Sequence, residues 1–244
     1  GFPAPTGTPV TDGPVSTWKP AMTVNGVITA SAVLFVLLLS TATWGWMSTT
    51  VAEDGEVGFP PLAMVGIIVG FGAVMVAYFK PKLAKIFGPI YALCYGYAVG
   101  AISHAYEALQ DGIVLQAAGA TIAVFFVMLI MYRTGIIKVT PGYRKTVFAA
   151  TAGIMVLYLV SFVLNLFGSG IPFINSPSLF GIGFSVLVCA IAASNLALDF
   201  DLIEKGVANK MSKDYEWVAA LGLVVTLVWL YLEILRLLSK LNRS

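Results

Sequence analysis

The sequence predicts an all-α membrane protein with seven transmembrane helices, and three observations predict it. Of 244 residues, 59% are hydrophobic and only 11% are charged, whereas a soluble domain carries about 25% charged residues. A chain so poor in charge cannot cover a water-facing surface, so its solvent is largely lipid. Seven apolar runs stand out, at residues 24–47, 61–79, 86–106, 113–132, 146–167, 178–203 and 217–238. Each approaches the ~20 residues a helix needs to cross a bilayer. Finally, basic residues fill alternate connections and are missing from the others. In lipid the runs must be helices, because every backbone N–H and C=O needs an internal partner; a closed barrel would show alternating segments of ~10 residues.

Ahead of the first run, residues 1–22 are rich in Pro, Gly and Thr and read as an extended, poorly ordered lead-in to a seven-helix domain over residues 23–244. The chain opens on Gly1 rather than Met, so its native N-terminus is expected further upstream. The first run ends on Trp44 and Trp46, which read as interfacial anchors, as does Tyr132 at the end of the fourth. The connection after it holds Glu53, Asp54 and Glu56 and no base. The second run is uncharged and carries Gly66 and Gly70; the third carries Gly96 and Gly100; Ala190 and Ser194 repeat the spacing in the sixth. Small residues four apart let helices approach closely in lipid. Lys80, Lys82 and Lys85 follow the second run; Arg133, Lys138, Arg144 and Lys145 follow the fourth; Lys205, Lys210 and Lys213 follow the sixth. The intervening connections hold no base, so the basic ends, and the N-terminus with them, are expected in the cytosol. Arg236, Lys240 and Arg243 run against this rule, because seven spans put the tail on the other side.

Ionisable groups at membrane depth are functional candidates by default. The third run aligns Tyr97, Gly100, His104, Glu107 and Asp111. His104 is the single histidine, the side-chain type whose ordinary charge change falls near physiological pH; His104 and Glu107 either bond locally near the surface or support a pH-sensing site. Thr151, Tyr158, Ser161 and Asn165 of the fifth run suit helix–helix hydrogen bonds. In the sixth run, Ser185, Cys189, Ala192, Asn195 and Asp199 share one face. Asp201 points elsewhere and reads as a headgroup-level charge; Asp199 lies either there or within the bilayer. In the seventh, Gly222, Thr226, Trp229, Glu233 and Arg236 share a face, and Glu233 either pairs with Arg236 or meets a group on another helix. Cys94 and Cys189 sit in apolar runs and are expected to stay free thiols. No nucleophile–base set, phosphate loop or metal-type Cys/His spacing is present, no basic cluster suits nucleic acid, and no site for a soluble small-molecule substrate is evident. The chain is therefore not expected to be an enzyme.

The segment LDFDLIEKG at residues 198–206 and LYLEILRLL at residues 230–238 resemble the Bax inhibitor family of transmembrane proteins. VGAISHAYE (99–107) and GIVLQA (112–117) extend the likeness over most of the chain, toward the actinobacterial branch. The resemblance implies six helices around a central seventh and a bacterial plasma-membrane location. It also implies a passive, pH-sensitive leak of calcium or other cations, with Ca²⁺ as permeant ion rather than cofactor. The family's acidic pair, one residue in each of the last two helices sharing a proton, maps to Asp199 and Glu233; Asn195, His104, Glu107, Asp201 and Arg236 would support it. Three features depart from the pattern. The seventh-helix acid is Glu, the two acids are 34 residues apart, and the second run has no counterpart to the family's basic gating residue. The alternative role is an accessory or regulatory subunit of a larger membrane complex or membrane protease, with lipid its other partner.

Overall fold

The computed structural model describes residues 21–51, 57–58, 60–167, 174 and 176–243. Among the described residues, seven helices are long and apolar enough to cross a membrane: α1 (Val24–Ser48), α2 (Pro61–Phe79), α3 (Ala84–Leu109), α4 (Ile113–Arg133), α5 (Pro141–Leu166), α6 (Leu179–Ala208) and α7 (Asp214–Leu241). A two-residue antiparallel pair, β1 (Thr50–Val51) and β2 (Val57–Gly58), follows α1, and a 3₁₀ turn (Pro81–Leu83) joins α2 to α3. The acidic stretch with Glu53, Asp54 and Glu56, most of the connection at residues 168–177, and residues 1–20 of the expected lead-in lie outside the described residues.

Several helices outrun their apolar cores. α5 begins at Pro141, where Thr140 accepts the Tyr143 N–H at 3.1 Å, a capped start with proline in the first turn. α6 continues to Ala208 and α7 starts at Asp214. Apolar runs mark the hydrocarbon layer; a helix can continue into the headgroup region, where charges are accommodated.

α7 is the axis. Its membrane span is 67% buried, against 17% for α5. α1, α3, α4 and α6 pack directly on it, α2 touches it lightly, and α5 packs on α6. A helix apolar on every side belongs inside, and α7 buries Val218, Ala220, Leu221, Val224, Leu230 and Leu235 around its circumference.

The glycine pairs bring backbones together. A Cβ on Gly100 would lie 1.8 Å from the Ala42 carbonyl oxygen, and one on Gly45 2.0 Å from that of Tyr97, so α1 and α3 meet backbone to backbone. Gly66 does the same for α2 against Cys94 of α3. The Ala190–Ser194 spacing makes no such contact: Ala190 is exposed and Ser194 donates to its own helix at Ala190 O, 2.8 Å. Gly100→Leu is expected to destabilise the bundle by about 3 kcal/mol or more, the upper range for overpacking. Gly119→Ala, with open space at its Cβ, should leave the detergent-solubilised Tm unchanged. Equal melting of the two variants would contradict the close α1–α3 contact.

At the basic end, Met22 N–H donates to Met211 O at 2.8 Å and Ala21 bridges Ser212. Glu216, in the first turn of α7 and 3% exposed, accepts from the Thr23 N–H and hydroxyl, both at 2.9 Å. A carboxylate from one helix thus sits at the positive end of another. At the opposite end, Asn242 donates to Gln110 at 3.2 Å, so α7 crosses completely. Two of the three bases there do not oppose the charge rule, because Arg236 and Lys240 turn inward onto other side chains and backbone; Arg243 is exposed.

Candidate functional site

Asp199 stands nine residues before the end of α6, about 14 Å along the helix from the basic end. It faces α7 at the level of Gly222 and Thr226. The missing side chain of Gly222 lets two polar groups close on α7: a Cβ there would lie 2.9 Å from the Tyr78 hydroxyl and 3.3 Å from Asp199 Oδ1. Thr226, one turn further along α7, faces the same carboxyl. Asp199 Oδ2 is buried and has no hydrogen-bond partner among the described residues. A buried polar atom left unpaired costs about 1–3 kcal/mol, more if charged, so this oxygen calls for a proton, a cation or water.

Glu233 builds a second centre. At 2% exposure, it accepts from Arg236 Nη1 at 2.9 and 3.0 Å, from the Tyr158 hydroxyl at 3.0 Å and from Trp229 Nε1 at 3.3 Å. Arg236 also donates to Tyr158 at 2.7 Å and lies over its ring, 4.9 Å from the centroid. Tyr95, Trp229 and Leu232 join these groups around a cavity of about 530 Å³ beside α2 and α5. Further along, Lys240 is 4% exposed and donates to Gly181 O at 3.0 Å and Ser185 Oγ at 2.7 Å.

The structure does not bring Asp199 and Glu233 together. α6 does run past Lys205, as their meeting required, but its register sets Asp199 against Gly222 and Thr226. Glu233 lies seven residues beyond Thr226, about 10 Å along the axis, and its carboxylate is engaged by Arg236, Tyr158 and Trp229. The expected acidic pair is corrected to two separate centres. The position opposite Asp199 from the second helix is held by Tyr78, a phenol where the resemblance implied a base.

The supporting residues disperse. Asn195 donates to Thr151 Oγ1 at 2.8 Å and ties α6 to α5. Asp201 is corrected from a headgroup charge to a buried one: at 5% exposure it pairs with Arg144 and with Lys205, the latter at 2.8 Å. Glu107 caps α4, accepting from the Gly112 and Val114 N–H groups at 2.7 and 3.0 Å, so it takes no part at either acid. His104 packs on Trp46, ring centroids 4.9 Å apart. Of this set only Arg236 touches an expected acid. Cys94 and Cys189 are free thiols. Tyr78 escaped notice because its position is lipid-facing, 45% exposed, with only the hydroxyl turned inward; Arg144 and Lys240 read as loop and tail charges.

The family model for Bax inhibitor 1 like proteins matches residues 3–243, nearly the whole chain, and no curated protein matches. This multi-pass membrane protein belongs to the Bax inhibitor 1 like family.

Proposed function

We propose that this member of the Bax inhibitor 1 like family is a pH-responsive passive leak for cations, calcium among them. It would lie in a bacterial plasma membrane with its basic end in the cytosol. Asp199 is the group that binds proton or cation, and Glu233, held by Arg236, is a second, neutralised charge centre. The observation that carries this reading is the buried Oδ2 of Asp199, without a hydrogen-bond partner among the described residues, where Gly222 lets Asp199 and Tyr78 close on α7. Protonated, the side chain is neutral and suits its apolar surroundings. Deprotonated, it offers oxygen ligands, with the Thr226 and Tyr78 hydroxyls close by, to a hard cation that favours oxygen. Among the described residues no three His, Cys, Asp or Glu side chains converge, which suits passage rather than tight retention. Leak therefore rises with pH through the titration of Asp199. Purified protein in liposomes loaded with a calcium indicator tests this: protein-dependent Ca²⁺ entry should increase from acid to neutral pH. Absence of flux across that range would overturn it.

A second reading, an accessory subunit of a larger membrane complex or protease, rests on α5, which leaves Phe148 and Phe162 facing outward. It expects a protein partner to co-purify from native membranes at constant ratio.

The orientation has its own check. Single cysteines at Lys138 and Gln110, introduced with Cys94 and Cys189 replaced, should react with an impermeant reagent from opposite sides. Same-side labelling would contradict it.

A further inference from the structure

A groove of about 1260 Å³ separates α1 from α4, two helices that both pack on α7. Phe35 of α1, Phe125 of α4 and Leu227 of α7 form its walls and floor. Along α1 it runs from Val24 to Trp46, about 33 Å at ~1.5 Å per residue, which matches a hydrocarbon core of ~30 Å.

Of the polar groups in the lining, Ser103 and Tyr231 bond each other and Thr43 and Thr121 bond their own helices; two others stand out. Ser31, 8% exposed, lines the groove about 10 Å in from the start of α1, and its hydroxyl has no hydrogen-bond partner among the described residues. Arg133 stands at the basic-end mouth; among the described residues no carboxylate pairs with it. Glu204, the acid in the same wall, is engaged by the Tyr132 hydroxyl.

We propose that this groove is a binding site for one anionic phospholipid of the leaflet at the basic end, its phosphate on Arg133, an ester carbonyl accepting from Ser31, and an acyl chain along Phe125 and Leu227. The polar groups are ordered as in such a lipid: a cation at headgroup level, an unused donor just inside, then apolar wall. A guanidinium suits phosphate geometry. A partner helix fits less well. Where helices of this bundle meet closely, glycines face backbone, Gly45 against Tyr97 and Gly100 against Ala42, as close association in lipid requires; this groove mixes Phe35, Phe125, Phe126 and Leu227 with small residues such as Ala118, an uneven wall that a flexible chain can thread. The site is independent of the leak reading.

The test is native mass spectrometry of the full chain, delipidated in detergent and then offered phosphatidylglycerol and phosphatidylcholine in equal amounts. One phosphatidylglycerol should be retained in preference. Arg133→Gln should weaken retention about tenfold, the scale of one charge-assisted contact, and Ser31→Leu should also lower it. Phe162→Ala, on the outer face of α5, should leave it unchanged. Should Ser31→Leu fail to fold, Arg133→Gln decides alone, since its side chain is exposed. Equal retention of both lipids, or retention indifferent to Arg133→Gln, would show an unspecific lipid shell and overturn the site. A photoreactive residue at position 125 that captures protein rather than lipid in native membranes would also overturn it.

Discussion

Asp199→Asn is expected to reduce Ca²⁺ flux in liposomes roughly tenfold or more, the scale of a lost charge-assisted contact, and to leave the residue pH-independent. Asparagine keeps the shape and a carbonyl oxygen facing Thr226, so the fold should persist and Tm should not fall. What disappears is the charge. On the proposed reading, low pH neutralises the carboxyl and closes the leak, and rising pH restores a negative oxygen that has no other partner among the described residues. Tyr78→Phe removes one neighbouring oxygen and should lower flux by a smaller factor while preserving the pH response. Wild-type flux in the Asn variant would remove Asp199 from the mechanism.

Arg236→Met is expected to be the most damaging single change to stability. Glu233 is 2% exposed and Arg236 supplies its counter-charge; breaking a buried pair by removing one partner costs about 3–5 kcal/mol, whereas replacing both partners is often neutral. The double variant Glu233→Gln, Arg236→Met should therefore recover most of the loss. Denaturation in detergent micelles checks both. Arg236→Met as stable as the native protein would mean that the pair carries no structural weight.

Much of this fold was legible because lipid leaves few choices. Apolar runs at membrane depth must be helices, and the glycine spacings at Gly66 and Gly96 to Gly100 do mark close contacts. The Ala190–Ser194 spacing shows the limit: small residues permit an approach but do not demand one. The site was legible by face and not by height. Periodicity placed Asp199 on one stripe of α6 and Glu233 on one stripe of α7, and both are inward. Which residue of one helix meets which of the next depends on the turn between them. That turn runs from Asn209 to Lys213, with Lys210 in a left-handed conformation at φ 49°, and no stripe encodes its geometry. Partners distant in sequence were equally hidden: Arg144 reaches Asp201 across 57 residues and Arg236 reaches Tyr158 across 78. The basic tail looked like a conflict in topology because charge counting assumes that lysines and arginines face water, and Lys240 does not.

The most direct measurement of the central claim, that a lone Asp199 and not an acid pair sets the pH response, is the pH profile of Ca²⁺ flux in the Glu233→Gln, Arg236→Met double variant. Two carboxyls sharing a proton titrate as a unit, so removing one moves the midpoint for both. With Glu233 about 10 Å further along α7 and neutralised by Arg236, the account predicts the same midpoint as the native protein. A midpoint displaced by about a pH unit or more, or a flat profile, would place Glu233 in the same titration and contradict it.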